Sequence, residues 1–133
     1  MRAITIIVSL LLVFFGLAAR AQLAVTLSQP RMEGQKAVVK LAMKNGLSER
    51  IESARAVCFL LDNQGVMVGQ STKWVIGQNK TSLAPGATNT FNFVITSPQP
   101  FTTNLTAKVS FSRVVLDGGK SADIRQTVLV TNP

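Results

Sequence analysis

An all-β sandwich is the fold class this sequence predicts, and three observations predict it. Apolar and polar residues alternate with a period of two through several segments. Turn-forming residues separate those segments at short intervals: Asn45-Gly46, Asp62-Asn63-Gln64-Gly65, Pro85-Gly86 and Asp117-Gly118-Gly119-Lys120. No segment between them carries a convincing helical pattern.

The first 21 residues stand apart from this pattern. Arg2 supplies a positive start, Ala3 to Ala18 is apolar or small apart from Thr5 and Ser9, and Ala19-Arg20-Ala21 places small residues where a signal peptidase reads them. The expectation is an exported protein, periplasmic or extracellular, cleaved after Ala21. An uncleaved anchor is the alternative, since Ala3 to Ala19 sits at the short limit of a bilayer span. Taking 21 from 133 leaves 112 residues, the size of one domain with a core of its own, assigned to residues 22–133.

The elements follow in order. Leu23, Val25 and Leu27 alternate with Ala24 and Thr26 up to Pro30. Lys36 to Lys44 alternates more cleanly, with Ala37, Val39, Leu41 and Met43 on one face. Ile51 to Leu61 is apolar on both faces near its end, as in a central strand buried on both sides. A return strand at Val66-Met67-Val68 follows the Asp62 turn, and Thr72 to Ile76 continues or replaces it. Phe91, Phe93 and Ile95 mark the next strand, then Leu105, Ala107, Val109 and Phe111. The Asp117 turn predicts a hairpin into a closing strand carrying Ile124, Gln126, Val128 and Val130. Seven to eight short strands in about 100 residues predict an immunoglobulin-like antiparallel β-sandwich.

The stretch from Asn45 to Phe93 supports that reading from another side. An apolar strand ends in Phe59-Leu60-Leu61-Asp62, a turn closes at Gly65, and Leu83-Ala84-Pro85-Gly86 leads into Phe91-Asn92-Phe93. In this the chain resembles the small exported immunoglobulin-like domains of the FxLYD family, with Cys58 and Leu61 standing where that family's motif has Phe and Tyr. The resemblance covers about half of residues 22–133. It implies an extracytoplasmic interaction module and carries no catalytic residue with it.

Composition narrows the chemistry. The chain has no histidine and no tyrosine, so Ser-His-Asp, Cys-His and His-based metal arrangements cannot be assembled within it. Cys58, the only cysteine, shares a strand face with Ala54, Ala56 and Leu60 and reads as a small buried hydrophobe. Of the six acids, Glu49 and Glu52 flank Arg50, and Asp62 and Asp117 open turns whose backbone they are expected to cap. Met32, Met43 and Met67 lack the spacing of a copper motif and read as filler. No cofactor, no nucleic-acid partner and no enzymatic activity is expected.

Two features remain as candidate binding residues. Lys36, Lys40 and Lys44 fall on one strand face, each about 13 Å from the next at ~3.3 Å per residue. They either grip an anionic surface or protect an exposed edge from pairing. Trp74, in a segment expected at a sheet edge, either anchors a peptide or sugar or covers the rim of the core. Without Arg2 and Arg20, twelve basic residues face six acids, a formal +6 that favours anionic partners. The sequence therefore predicts a non-catalytic interaction module of the bacterial envelope, binding a protein through a sheet edge or loops. The alternative is a binder of anionic polymer or membrane surface through the lysine stripe.

Overall fold

The computed structural model describes residues 21–101 and 104–132; the N-terminal segment read as a signal peptide lies almost entirely outside them. Among the described residues nine strands run in chain order: β1 Leu23–Leu27, β2 Arg31–Glu33, β3 Lys36–Asn45, β4 Ile51–Leu61, β5 Met67–Ile76, β6 Thr88–Thr96, β7 Thr106–Leu116, β8 Lys120–Ser121 and β9 Val128–Thr131. A helical turn, α1, spans Ile124–Thr127 between the last two.

The strands form two sheets. In the five-stranded sheet β3 pairs with β6 along one side and with β1 and β2 along the other, and β9 closes the far edge beside β1. In the four-stranded sheet the order is β5-β4-β7-β8. The inward positions of β3 (Ala37, Val39, Leu41, Met43) meet those of β4 (Ala54, Ala56, Cys58, Leu60) in one core. This is the immunoglobulin-like sandwich, and its period-two alternation is the reason: each strand has one face to bury, and only a second sheet can cover it.

Several expectations need correcting. The strand count rises to nine because β2 and β8 are too short, at three and two residues, to show a period. The closing strand is not continuous. Ser121 ends the pairing with β7, and Asp123 then accepts a hydrogen bond from the Arg125 N–H at 3.1 Å and starts α1. The chain crosses to the other sheet there, and β9 runs parallel to β1, so the sandwich is not wholly antiparallel. Nor is β4 buried on both sides: its outward Val57, Phe59 and Leu61 are only half-buried. Val75 and Ile76, read as part of an exposed edge, are both buried, because a register shift opposite Ala54/Arg55 turns two successive side chains inward.

Where turn chemistry is local, the structure agrees with the sequence. Gly65 donates to the Asp62 carbonyl at 3.0 Å with φ +80, and the Asp62 carboxylate accepts from Gln64 and Val66, each at 2.9 Å. Asp117 differs. The 3₁₀ turn it opens is held by Glu52, whose carboxylate accepts from the Gly118 N–H at 3.1 Å.

Candidate binding surface

The three candidate lysines stand together on the outward face of β3, all exposed. Their strand is in the interior of its sheet, paired on both sides, so edge protection does not account for them. Lys40 lies across from Asn92, with Ser28 bonded to its backbone on the other side at 2.9 Å. Lys44 lies between Ala24 of β1 and Thr88 of β6. Lys36 lies across from Glu33, whose carboxylate is bonded to Arg31 at 3.1 Å.

Small side chains surround the stripe, and this shapes the surface. Ala24, Thr26, Ala42, Thr88 and Thr90 floor a shallow depression of about 320 Å³ with Lys44 on its rim. A second hollow of about 250 Å³ shares Asn89 and Thr90 with it and continues to Gly77 and Gln78. An ammonium on a four-carbon stem above a floor of hydroxyls and methyls offers donors to an anion and no carboxylate to compete with it.

The acids explain why that face stays basic. Glu49 pairs with Lys120 at 2.8 Å rather than with Arg50, Glu52 holds the Gly118 N–H, Asp62 closes its own turn and Asp123 caps α1. Only Glu33 lies on the outer face of the five-stranded sheet, and it is taken by Arg31. Among the described residues these are the two ion pairs, Arg31–Glu33 and Lys120–Glu49.

Trp74 sits on β5, an open edge as expected, and is 37% exposed. Its ring carries the Arg55 guanidinium, 5.6 Å from the centroid, an interaction sequence reasoning missed because Arg55 is nineteen positions away on β4. The Arg55 Nε donates to the Ser112 hydroxyl at 3.0 Å, so the pair is fixed from both neighbouring strands. Among the described residues, Val66, Met67, Val68 and Trp74 are four of the six exposed large hydrophobics, and they lie on β5 or immediately before it. Edge protection on β5 belongs to Lys73, opposite the buried Ala56 and therefore on the inward side of the strand.

The remaining candidates for chemistry separate. Cys58 is fully buried, and desolvation pushes its thiol up to about 11 from 9.0. Met43 is buried in the five-stranded sheet, whereas Met67 is exposed at the start of β5 in the other. Among the described residues no three of Cys, Asp and Glu gather in a metal-holding group.

No family model matches the chain, and no curated protein matches it. Solved structures do. A Bordetella pertussis protein described as ApaA is similar over 77% of this chain and 88% of its own, with a TM-score of 0.53 and 16% identity. A structural-genomics target, SoR45, is similar over 76% of this chain and 77% of its own, with a TM-score of 0.51 and 10% identity. At such identities the likeness is one of fold.

Proposed function

We propose that this protein is a non-catalytic binding module of the exported side of a bacterial envelope, and that it holds an anionic polymer or membrane surface against the outer face of its five-stranded sheet. One observation carries the reading. Lys36, Lys40 and Lys44 stand in a row on an interior strand, and Glu33, the one acid on that face, is paired with Arg31. The alanine and threonine floor beside Lys44 supports it, since it leaves room for an anion to approach. Export rests on the N-terminal sequence alone.

The test is retention on anionic vesicles and on an immobilised acidic polysaccharide, each against its neutral counterpart. At about 1 kcal/mol per lysine near an anionic surface, Lys36→Gln, Lys40→Gln and Lys44→Gln together should weaken binding roughly hundredfold. Binding should also fall steeply with salt, because the Debye length shrinks from about 30 Å at 0.01 M to 8 Å at physiological strength. Retention indifferent to both salt and the triple change would end the reading.

A second reading is favoured by the apolar residues of β5. A protein segment would pack on the apolar side chains of that edge, with Met67 and Val68 at one end and Trp74 near the other, while Lys73 opposes its addition as a further strand. Val75 and Ile76 are core residues, so the informative changes are Met67→Lys and Trp74→Ala, and unchanged capture of a partner by both would exclude this edge.

A further inference from the structure

The long edges of the two sheets are not protected alike. β5 carries an inward Lys73 and two register shifts, which twist it and set a charge against an incoming strand. β8 and β9 are only two and four residues long. β6 has none of these devices. Its nine residues, Thr-Asn-Thr-Phe-Asn-Phe-Val-Ile-Thr, include no charge, no proline and no glycine, and it pairs with β3 on one side only. Among the described residues one group of its outer row has a partner, the Thr90 N–H bonded to the Asn89 side chain at 2.8 Å, and an uncharged, regular strand with the rest of that row open is a template for another strand.

The order of residues says which strand fits. Reversed about Asn92, β6 keeps most of its pattern: Thr88 exchanges with Thr96, Thr90 with Val94 and Phe91 with Phe93, while Asn89 with Ile95 is the one mismatch of polarity on the inward side. We infer that β6 pairs antiparallel with β6 of a second copy of this chain, about a two-fold axis through Asn92.

In that register each residue meets a counterpart that faces the same way. Asn92, Val94 and Thr96 lie on the outward side, all exposed, opposite Asn92, Thr90 and Thr88 of the second copy. Phe91 and Phe93 lie on the inward side, edge-to-face at 5.1 Å; Phe93 is fully buried within its own chain, and the half-buried Phe91 is the aromatic side chain nearer the seam. A two-fold contact requires this kind of self-complementarity, and no like charges oppose one another along the seam. Joining two five-stranded sheets this way would also put both lysine stripes on one continuous face. The pairing does not depend on those lysines binding anything.

The experiment is the mass of the purified protein in solution, by light scattering up to roughly millimolar concentration, alongside two variants. Asn92→Glu sets a carboxylate opposite Lys40 within the chain, which suits the fold, but sets two carboxylates against each other on the axis. Asn92→Cys places two thiols opposite each other, while the native Cys58 is buried and out of reach. The expected results are a dimer for the wild type, a folded monomer for Asn92→Glu and rapid oxidation of Asn92→Cys to a covalent dimer. A monomeric wild type whose Asn92→Cys variant fails to crosslink, or a dimer that Asn92→Glu leaves intact, would overturn the pairing. Loss of anion binding with the dimer intact would instead count only against the lysine stripe.

Discussion

At the end of the sandwich where β3 runs into β4, β5 into β6 and β7 into β8, the loops are bonded to one another; at the opposite end the turns are bonded within themselves or within one sheet. Asn45 is the centre of the first arrangement. It is fully buried, and its side-chain amide donates to the carbonyls of Glu49 at 2.9 Å and Leu83 at 3.0 Å while its oxygen accepts from the Leu47 N–H at 2.9 Å. Its backbone bonds Ala87 and Gly86, and Ile51 and Leu83 exchange both of their backbone bonds beside it. At the other end the Asp62 turn is closed by its own residues, and Gln35 reaches Ser97 and Pro98, just past the end of β6 in its own sheet. The exposed Val66, Met67 and Val68 lie at that end. A sandwich can thus be held shut at one end by polar bonds that cross between sheets, leaving the other end free to present apolar side chains.

If that contrast is right, Asn45→Ala should be the most damaging polar change in the molecule. It strands the buried Leu83 carbonyl together with the part-buried Glu49 carbonyl and Leu47 amide, and a loss of about 3 kcal/mol is expected by urea denaturation. Gly77→Ala comes next, at about 2 kcal/mol. Gly77 has φ +88, and a Cβ there would lie 2.5 Å from the Glu52 carbonyl oxygen, a backbone atom that cannot swing aside. A matching change at the open end, Gly65→Ala, meets nothing within 4 Å and pays only for its φ of +80. A Gly65→Ala variant as unstable as Gly77→Ala would dissolve the distinction between the ends.

Cys58 lies between the two ends and gives the contrast a pH axis. Its thiol ionises at 9.0 when unfolded and at about 11 in the folded core. Between those values the unfolded chain releases a proton that the folded chain keeps, so rising pH favours unfolding. The contribution is intact below pH 9.0 and should be lost by up to about 1.4 kcal/mol per pH unit above it. The measurement that isolates it is the difference in slope between wild type and Cys58→Ala. Parallel slopes would mean that the thiol reaches solvent without global unfolding.

Much of this architecture could be read from the sequence, and the parts that could not share a cause. The faces of β3, β6 and β7 follow from alternation, a property of neighbouring residues. The place of β3 inside its sheet does not: it depends on β6, some fifty residues away, and that placement is what changes the meaning of the lysine stripe. Asn45 beside Gly46 looks like a turn, because its main partner, Leu83, is 38 positions distant. The closing strand failed for a different reason. Ile124 and Val128 are four apart, a spacing that fits a strand face and a helix face equally, and the Asp123 cap decided for the helix.

The smallest expected effect concerns the two ion pairs, one at each end. Lys120–Glu49 ties the β7–β8 turn to the β3–β4 loop across 71 positions, whereas Arg31–Glu33 spans two positions within one short strand. Loop closure argues that the first should matter more, but exposure argues otherwise. The Lys120 and Arg31 side chains are 59% and 70% exposed, and water and salt screen such pairs to below about 0.5 kcal/mol whatever their sequence separation. Double-mutant cycles on Lys120→Gln with Glu49→Gln and on Arg31→Gln with Glu33→Gln should therefore return similarly small couplings. A coupling several times larger for Lys120–Glu49 would mean that the closed end is held by charge as well as by Asn45, and its stability would then fall with added salt.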